Sequence, residues 1–161
     1  MNILMFVLAA GIPYYLLLEK FTHLHSKTIF YISALMLVGA ITMSYYVPNT
    51  HDIYLVEISF VSALFSIYKA TKTTNFYKLG YYLIFVNAPF FILFEEKGAH
   101  YSSAMLVSLL GLYFIGRFYE KHYASANYHY IKGITLATPH IGTFLTVYLV
   151  TLALYPPFPN A

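Results

Sequence analysis

The chain contains no cysteine and no tryptophan, and only 9% of its residues are charged. The missing cysteine excludes disulfides, thiolate metal sites and iron–sulfur clusters held by this chain. The shortage of charge says more, because a soluble domain carries about 25% Asp, Glu, Lys and Arg. With 60% hydrophobic residues among 161, too few polar side chains are left to cover a water-facing surface. The composition therefore excludes a disordered tail and a nucleic-acid-binding module, and it specifies an integral membrane protein. What is abundant is aromatic, with 18 Tyr and 14 Phe.

Apolar runs broken by charged, Pro or Asn residues predict an all-α integral membrane protein, a single bundle of about six transmembrane helices. The expected spans run from Asn2 to Leu18, Thr28 to Tyr46, Ile53 to Tyr68, Leu79 to Phe94, Ser102 to Gly116 and Gly133 to Tyr155. The first run has no basic leader and is expected to be a retained helix, not a cleaved signal peptide. Lys20, Lys27, Lys69, Lys72, Lys78, Arg117, Lys121 and Lys132 fall in the first, third and fifth loops, against Lys97 alone in the fourth. Basic residues of short loops stay cytoplasmic, so both termini are expected to be extracytoplasmic. A bacterial inner membrane and an organellar inner membrane fit equally.

Tyr45, Tyr46, Tyr54, Tyr68, Tyr77, Tyr101, Tyr119 and Tyr155 stand at span ends, where an apolar ring with a polar tip suits the headgroup level. Tyr31, Tyr82, Tyr113 and Tyr148 fall deeper, where a hydroxyl needs a partner on another helix. Ser59, Ser62 and Ser66 form a small-residue stripe, as do Ala104, Ser108 and Gly111. Such stripes let backbones approach closely, within the chain or against other membrane subunits. Pro13, Pro89 and Pro139 lie inside expected spans, each removing a backbone hydrogen bond. Asn87 puts an amide close to the carbonyl that Pro89 frees.

Ionisable groups in the hydrocarbon are costly and therefore candidates for function. Glu57 on the third span, His140 on the sixth, and Lys78 and Arg117 at cytoplasmic helix ends make up that inventory, with Asn87 beside them. Burial raises the proton affinity of a carboxylate, and imidazole exchanges protons near neutral pH, so Glu57 and His140 suit a proton relay. Glu57 could equally snorkel to the outer surface, and His140 could be hydrogen-bonded to a neighbouring helix. A bis-histidine haem lacks a second histidine within a span. No histidine pair has the i, i+4 spacing of a metal site, and no phosphate loop or nucleophile elbow is present. No cofactor, metal or lone catalytic site is expected.

Leu55-Val56-Glu57-Ile58, Tyr68-Lys69 and Phe76-Tyr77-Lys78-Leu79-Gly80-Tyr81-Tyr82 resemble a signature of the antiporter-like membrane subunits of respiratory complex I, the NADH–quinone oxidoreductase. In that family a glutamate helix is followed by a basic cytoplasmic loop and a helix opening on a lysine and aromatics. Ile131-Lys132-Gly133, Pro139, Gly142, Leu145 and Leu154-Tyr155-Pro156-Pro157-Phe158 are similar to the family's basic loop, Pro-bearing helix and closing turn. The family's subunits have many more helices, and their mid-membrane lysine has no match here, where Ile115 or Gly116 stands with Arg117 nearby. The resemblance is thus to a reduced form. It implies proton or cation translocation within a larger redox- or uptake-linked complex, with Glu57 and Lys78 or Arg117 as charge partners. The alternatives are an accessory subunit without an ion path of its own, and a lone membrane enzyme or haem protein.

Overall fold

A computed structural model describes residues 3–21, 23–46, 52–93, 98–129 and 138–154, with side chains through residue 146. The described residues are helical, in seven elements: α1 (Ile3–Leu8), α2 (Tyr15–Phe21), α3 (Ser26–Tyr46), α4 (Ile53–Lys72), α5 (Phe76–Leu93), α6 (Gly98–Tyr123) and α7 (Pro139–Leu154). Four of them, α3 to α6, are long and apolar enough to cross a membrane. Lys97, Lys132, the 131–133 stretch and the closing Tyr155–Phe158 segment lie outside the described residues, and so does the Tyr148 side chain.

The expected first span is not one helix. After Leu8 the chain unwinds through Ala9–Tyr14 before α2 begins. Ala10 adopts a left-handed backbone with φ 65°. Gly11 N–H donates to the Phe6 carbonyl at 2.9 Å and Ala10 N–H to that of Val7 at 3.2 Å, the paired bonds of a Schellman termination. Gly11 is needed because a Cβ there would stand 2.3 Å from the Phe6 ring. Pro13 follows in the break, where its missing N–H costs no helix bond. Pro139 likewise opens α7 instead of kinking it, with Thr138 accepting from Ile141 and Gly142 N–H at 3.1 and 3.0 Å. Only Pro89 sits within a described helix.

Helix α5 is the axis of the bundle. Some 61% of its span is buried, against 22% for α4, and it packs against α4 most extensively, then α6 and α3. The α4–α5 connection is three residues long, so the two are antiparallel neighbours. Thr73 N–H returns to the Lys69 carbonyl, and the Asn75 side chain accepts from Tyr77 and Lys78 N–H at 2.9 and 3.3 Å, capping α5. Asp52 caps α4 in the same way through Tyr54 N–H. Asn has a short acceptor that reaches first-turn amides, which fixes where α5 starts.

Lipid supplies no hydrophobic drive between helices, so packing and ring contacts hold them. Tyr15 of α2 meets Tyr82 and Phe85 of α5 edge-on at 5.0 and 4.7 Å. Phe76 stacks on Tyr119 at 5.4 Å, and Phe30 on Tyr113 at 5.8 Å. Tyr31 and Tyr113 share a hydroxyl hydrogen bond between α3 and α6. The outer faces of α3, α4 and α6 carry exposed Leu35, Phe60, Val61, Val107 and Phe114, as helices bordered by lipid require. The Phe30 ring lies where a Cβ on Gly80 would approach it to 2.5 Å. Gly80→Ala is therefore expected to lower the thermal stability of the detergent-solubilised protein by about 1–3 kcal/mol, and Phe30→Leu in the same chain should recover part of the loss.

Candidate functional site

The break between α1 and α2 delivers Glu19, on the last turn of α2, against the start of α5. Its Oε1 accepts a hydrogen bond from the Tyr81 hydroxyl and a second from that of Tyr82 at 2.7 Å. Lys78 Nζ stands 3.9 Å from Oε1 and Lys69 Nζ 3.9 Å from Oε2. The carboxylate is largely buried, 18% exposed, while the two lysines are 40% and 35% exposed. An ionised carboxylate this enclosed needs donors. Tyr81 and Tyr82 are adjacent on α5, yet both reach it because α2 ends over that turn.

Behind this carboxylate runs a line of buried hydroxyls. Tyr15, one turn before Glu19, shares a 3.0 Å hydrogen bond with Ser66. Ser66 Oγ donates to the Ser62 carbonyl at 2.9 Å, and Ser59 Oγ to that of Val56 at 2.7 Å. Ser59, Ser62 and Ser66 are all buried, and Ser62 Oγ has no partner among the described residues. The serine stripe of α4 is thus enclosed by the chain itself, stepping along about 10 Å of helix at 1.5 Å per residue. Ala104, Ser108 and Gly111 on α6 are only half-buried.

A second carboxylate, Glu120 of α6, sits between helix ends on the same side of the bundle. Its Oε2 takes the Tyr77 hydroxyl at 2.9 Å, Arg117 Nη1 at 3.0 Å and Lys27 Nζ at 3.4 Å. A polar cavity of about 390 Å³ opens beside it, lined in part by His25, Lys27, Asn75 and Ser125. The segment after α6 closes over this end. Phe76 N–H donates to the Ala126 carbonyl at 3.2 Å and Tyr128 N–H to that of Thr74 at 2.8 Å, while the Tyr128 hydroxyl reaches the Thr73 carbonyl. Burial pushes the Tyr128 hydroxyl above the ordinary phenol range.

The expected residues are distributed unevenly over these features. Lys78 belongs to the Glu19 cluster and Arg117 to the Glu120 cluster. Asn87 does not turn to the carbonyl freed by Pro89. Its Nδ2 donates to the Leu83 carbonyl at 2.8 Å and its Oδ1 accepts from Tyr101 at 2.5 Å, tying α5 to α6. Glu57 lies on the exposed outer face of α4, in its second turn, with no hydrogen bond or ion pair among the described residues. His140 is exposed in the first turn of the described α7. Tyr82, expected to need a partner on another helix, finds it in Glu19, whereas Glu19, Glu120, Lys69 and Tyr81 carry no such expectation from the sequence. Glu19 falls one residue past the expected first span, and only the nearby Gly11 and Pro13, marking an interrupted helix, point toward it.

Among the described residues no three His, Asp or Glu side chains gather as a metal ligand set. No protein-family model, curated protein or solved structure matches the chain. The chemistry of the Glu19 cluster accordingly rests on its geometry. Glu19→Gln leaves two ammonium groups facing a neutral amide, and should cost about 1–3 kcal/mol of stability, discounted because both lysines are partly solvated. Adding Lys69→Gln to that variant should recover part of the loss in the same thermal melt.

Proposed function

We propose that this chain is a multi-pass membrane subunit that contributes to proton or cation movement within a larger redox- or uptake-linked complex, in the manner of a reduced antiporter-like subunit. The observation that supports this most is the Glu19 carboxylate, held by two tyrosine hydroxyls and two ammonium groups at the mouth of a buried hydroxyl seam. Lys69 and Lys78 each stand 3.9 Å from one of the carboxylate's oxygens, so a partner that shifts either lysine changes the charge balance around Glu19, and to that change we tie proton or cation movement. Hydroxyls both donate and accept, and in this proposal a proton leaving that carboxylate passes toward the Tyr15–Ser66 hydroxyl pair.

The interrupted first span adds to this reading. Gly/Pro-broken helices in membrane proteins mark places where backbone and polar side chains line an ion site. In this proposal the chain has six crossings, α1 and α2 together forming the first, and the end bearing Lys27, Lys69, Lys78 and Arg117 faces the cytoplasm. Both termini are then outside. Glu57, on the outer face of α4, takes part through a neighbouring subunit's helix, and His140 and Arg117 belong to the rims of the path. The second reading, an accessory subunit, draws on the exposed apolar faces of α3, α4 and α6, which suit contact with larger partners.

Two measurements test the proposal. In membranes where the variant chain replaces the native one, Glu19→Gln should cut proton uptake at least tenfold with assembly intact. Unchanged uptake in an assembled complex would favour the accessory role. For the topology, single cysteines at the exposed Tyr46 and Thr71 can be labelled cleanly because the chain has none of its own. Tyr46→Cys should react from outside and Thr71→Cys only after permeabilisation, whereas the reverse pattern would invert the orientation.

A further inference from the structure

Helices α2 and α4 are linked by the Tyr15–Ser66 hydrogen bond and by Lys69 beside Glu19, and next to these links a gap remains between them. The gap is a groove of about 420 Å³ lined by Pro13, Leu16, Ile58, Val61, Ser62 and Phe65. Its size is that of a small-molecule site, and apart from the serine its walls are apolar. Val61 is 66% exposed and Ile58 50%, so the groove opens on the lipid-facing side of the bundle.

The walls do not remain apolar along their length. At 100° per residue, Lys69 and Lys72 continue the α4 face that carries Ile58, Val61 and Phe65, and Lys20 continues the α2 face of Leu16 one turn on. Lys20, Lys69 and Lys72 thus lie beyond one end of the groove, Lys69 paired with Glu19 and Lys72 donating to the Tyr68 hydroxyl at 2.6 Å. Glu19 is the carboxylate that faces them, and it is already shared with Tyr81, Tyr82 and Lys78. Lys20 and Lys72 are exposed, and Lys72 lies 4.3 Å above the Tyr68 ring. An apolar trough ending in uncompensated positive charge matches a molecule with hydrocarbon chains and an anionic head. Basic pockets between membrane helices hold anionic headgroups in this way.

We infer that the α2–α4 groove binds an anionic phospholipid, its acyl chain lying along Leu16, Val61 and Phe65 and its phosphate on Lys20 and Lys72. The site is separate from the charge exchange proposed for Glu19, since neither of those lysines touches that carboxylate. Retention of lipid by the full chain in mild detergent tests it, with native mass spectrometry as the readout. Phosphatidylglycerol and phosphatidylcholine of identical chains are the probes. Phosphatidylglycerol should be retained preferentially, and Lys20→Gln and Lys72→Gln should each reduce that preference about fivefold. Val61→Trp, which fills the groove, should lower retention of both lipids, and soluble glycerol phosphate should not compete. Equal retention of the two lipids by the native chain would overturn the inference. So would a preference untouched by both lysine changes, or a Val61→Trp variant that keeps its phosphatidylglycerol.

Discussion

The docking of α2 onto the α5 axis turns on the largely enclosed carboxylate of Glu19. The break after α1 would leave α2, only seven residues long, as a loose appendage, since a helix that short is not stable by itself. What fastens it is an aromatic wedge and a charge. Tyr15 packs into Tyr81, Tyr82 and Phe85, and one turn later Glu19 takes hydrogen bonds from two of those same tyrosines. The apolar and polar halves of the contact are made by the same rings, so neither can be lost without loosening the other. In a bundle without hydrophobic drive between helices, such doubly used side chains are an economical source of specificity.

The same constraint explains the two carboxylate clusters. Lysine and arginine gather at one end of the bundle, where the described ends of α3, α4, α5 and α6 bring those charges close together. Like charges a few ångströms apart repel. Glu19 sits between Lys69 and Lys78, and Glu120 between Lys27 and Arg117, so each acid relieves one converging pair. Tyr77, Tyr81 and Tyr82, three aromatic residues on the first turns of α5, supply neutral donors to both. Helix α5 is therefore both the packing axis and the element from which the charge network is built.

Much of this was legible in the sequence, and what was missed has physical causes. Composition and apolar periodicity identified an all-α membrane protein, and the boundaries of α3 and α4 fell close to Thr28–Tyr46 and Ile53–Tyr68. The serine stripe at 59, 62 and 66 was recognised as a seam, and Tyr31, Tyr82 and Tyr113 as hydroxyls needing partners. The break inside the expected Asn2–Leu18 span has little signal in the sequence because Ala9 to Tyr14 is nearly as apolar as a helix interior. A Schellman stop built on Ala10 in place of glycine leaves little compositional trace. Glu57 stood out because hydropathy weights a charge by its neighbours in sequence. Glu19 did not, because a carboxylate beside Lys20 at a span end has the look of an interfacial residue. Which of the two is enclosed is decided by tertiary contacts with α5, and no one-dimensional pattern carries that.

The contrast between those two glutamates lies in what surrounds them. A carboxylate facing outward in the second turn of α4 can respond only to what lies beside the chain, whether lipid, water or another helix. Glu19 responds to the chain's own α4–α5 turn, because Lys69 ends one helix and Lys78 begins the next. The Thr73–Asn75 connection between them is clamped by Tyr128 and Ala126 from beyond α6. That clamp ties the segment after α6 to the turn that positions both lysines around Glu19, so the enclosed carboxylate, the α4–α5 connection and the chain beyond α6 hold one another in place.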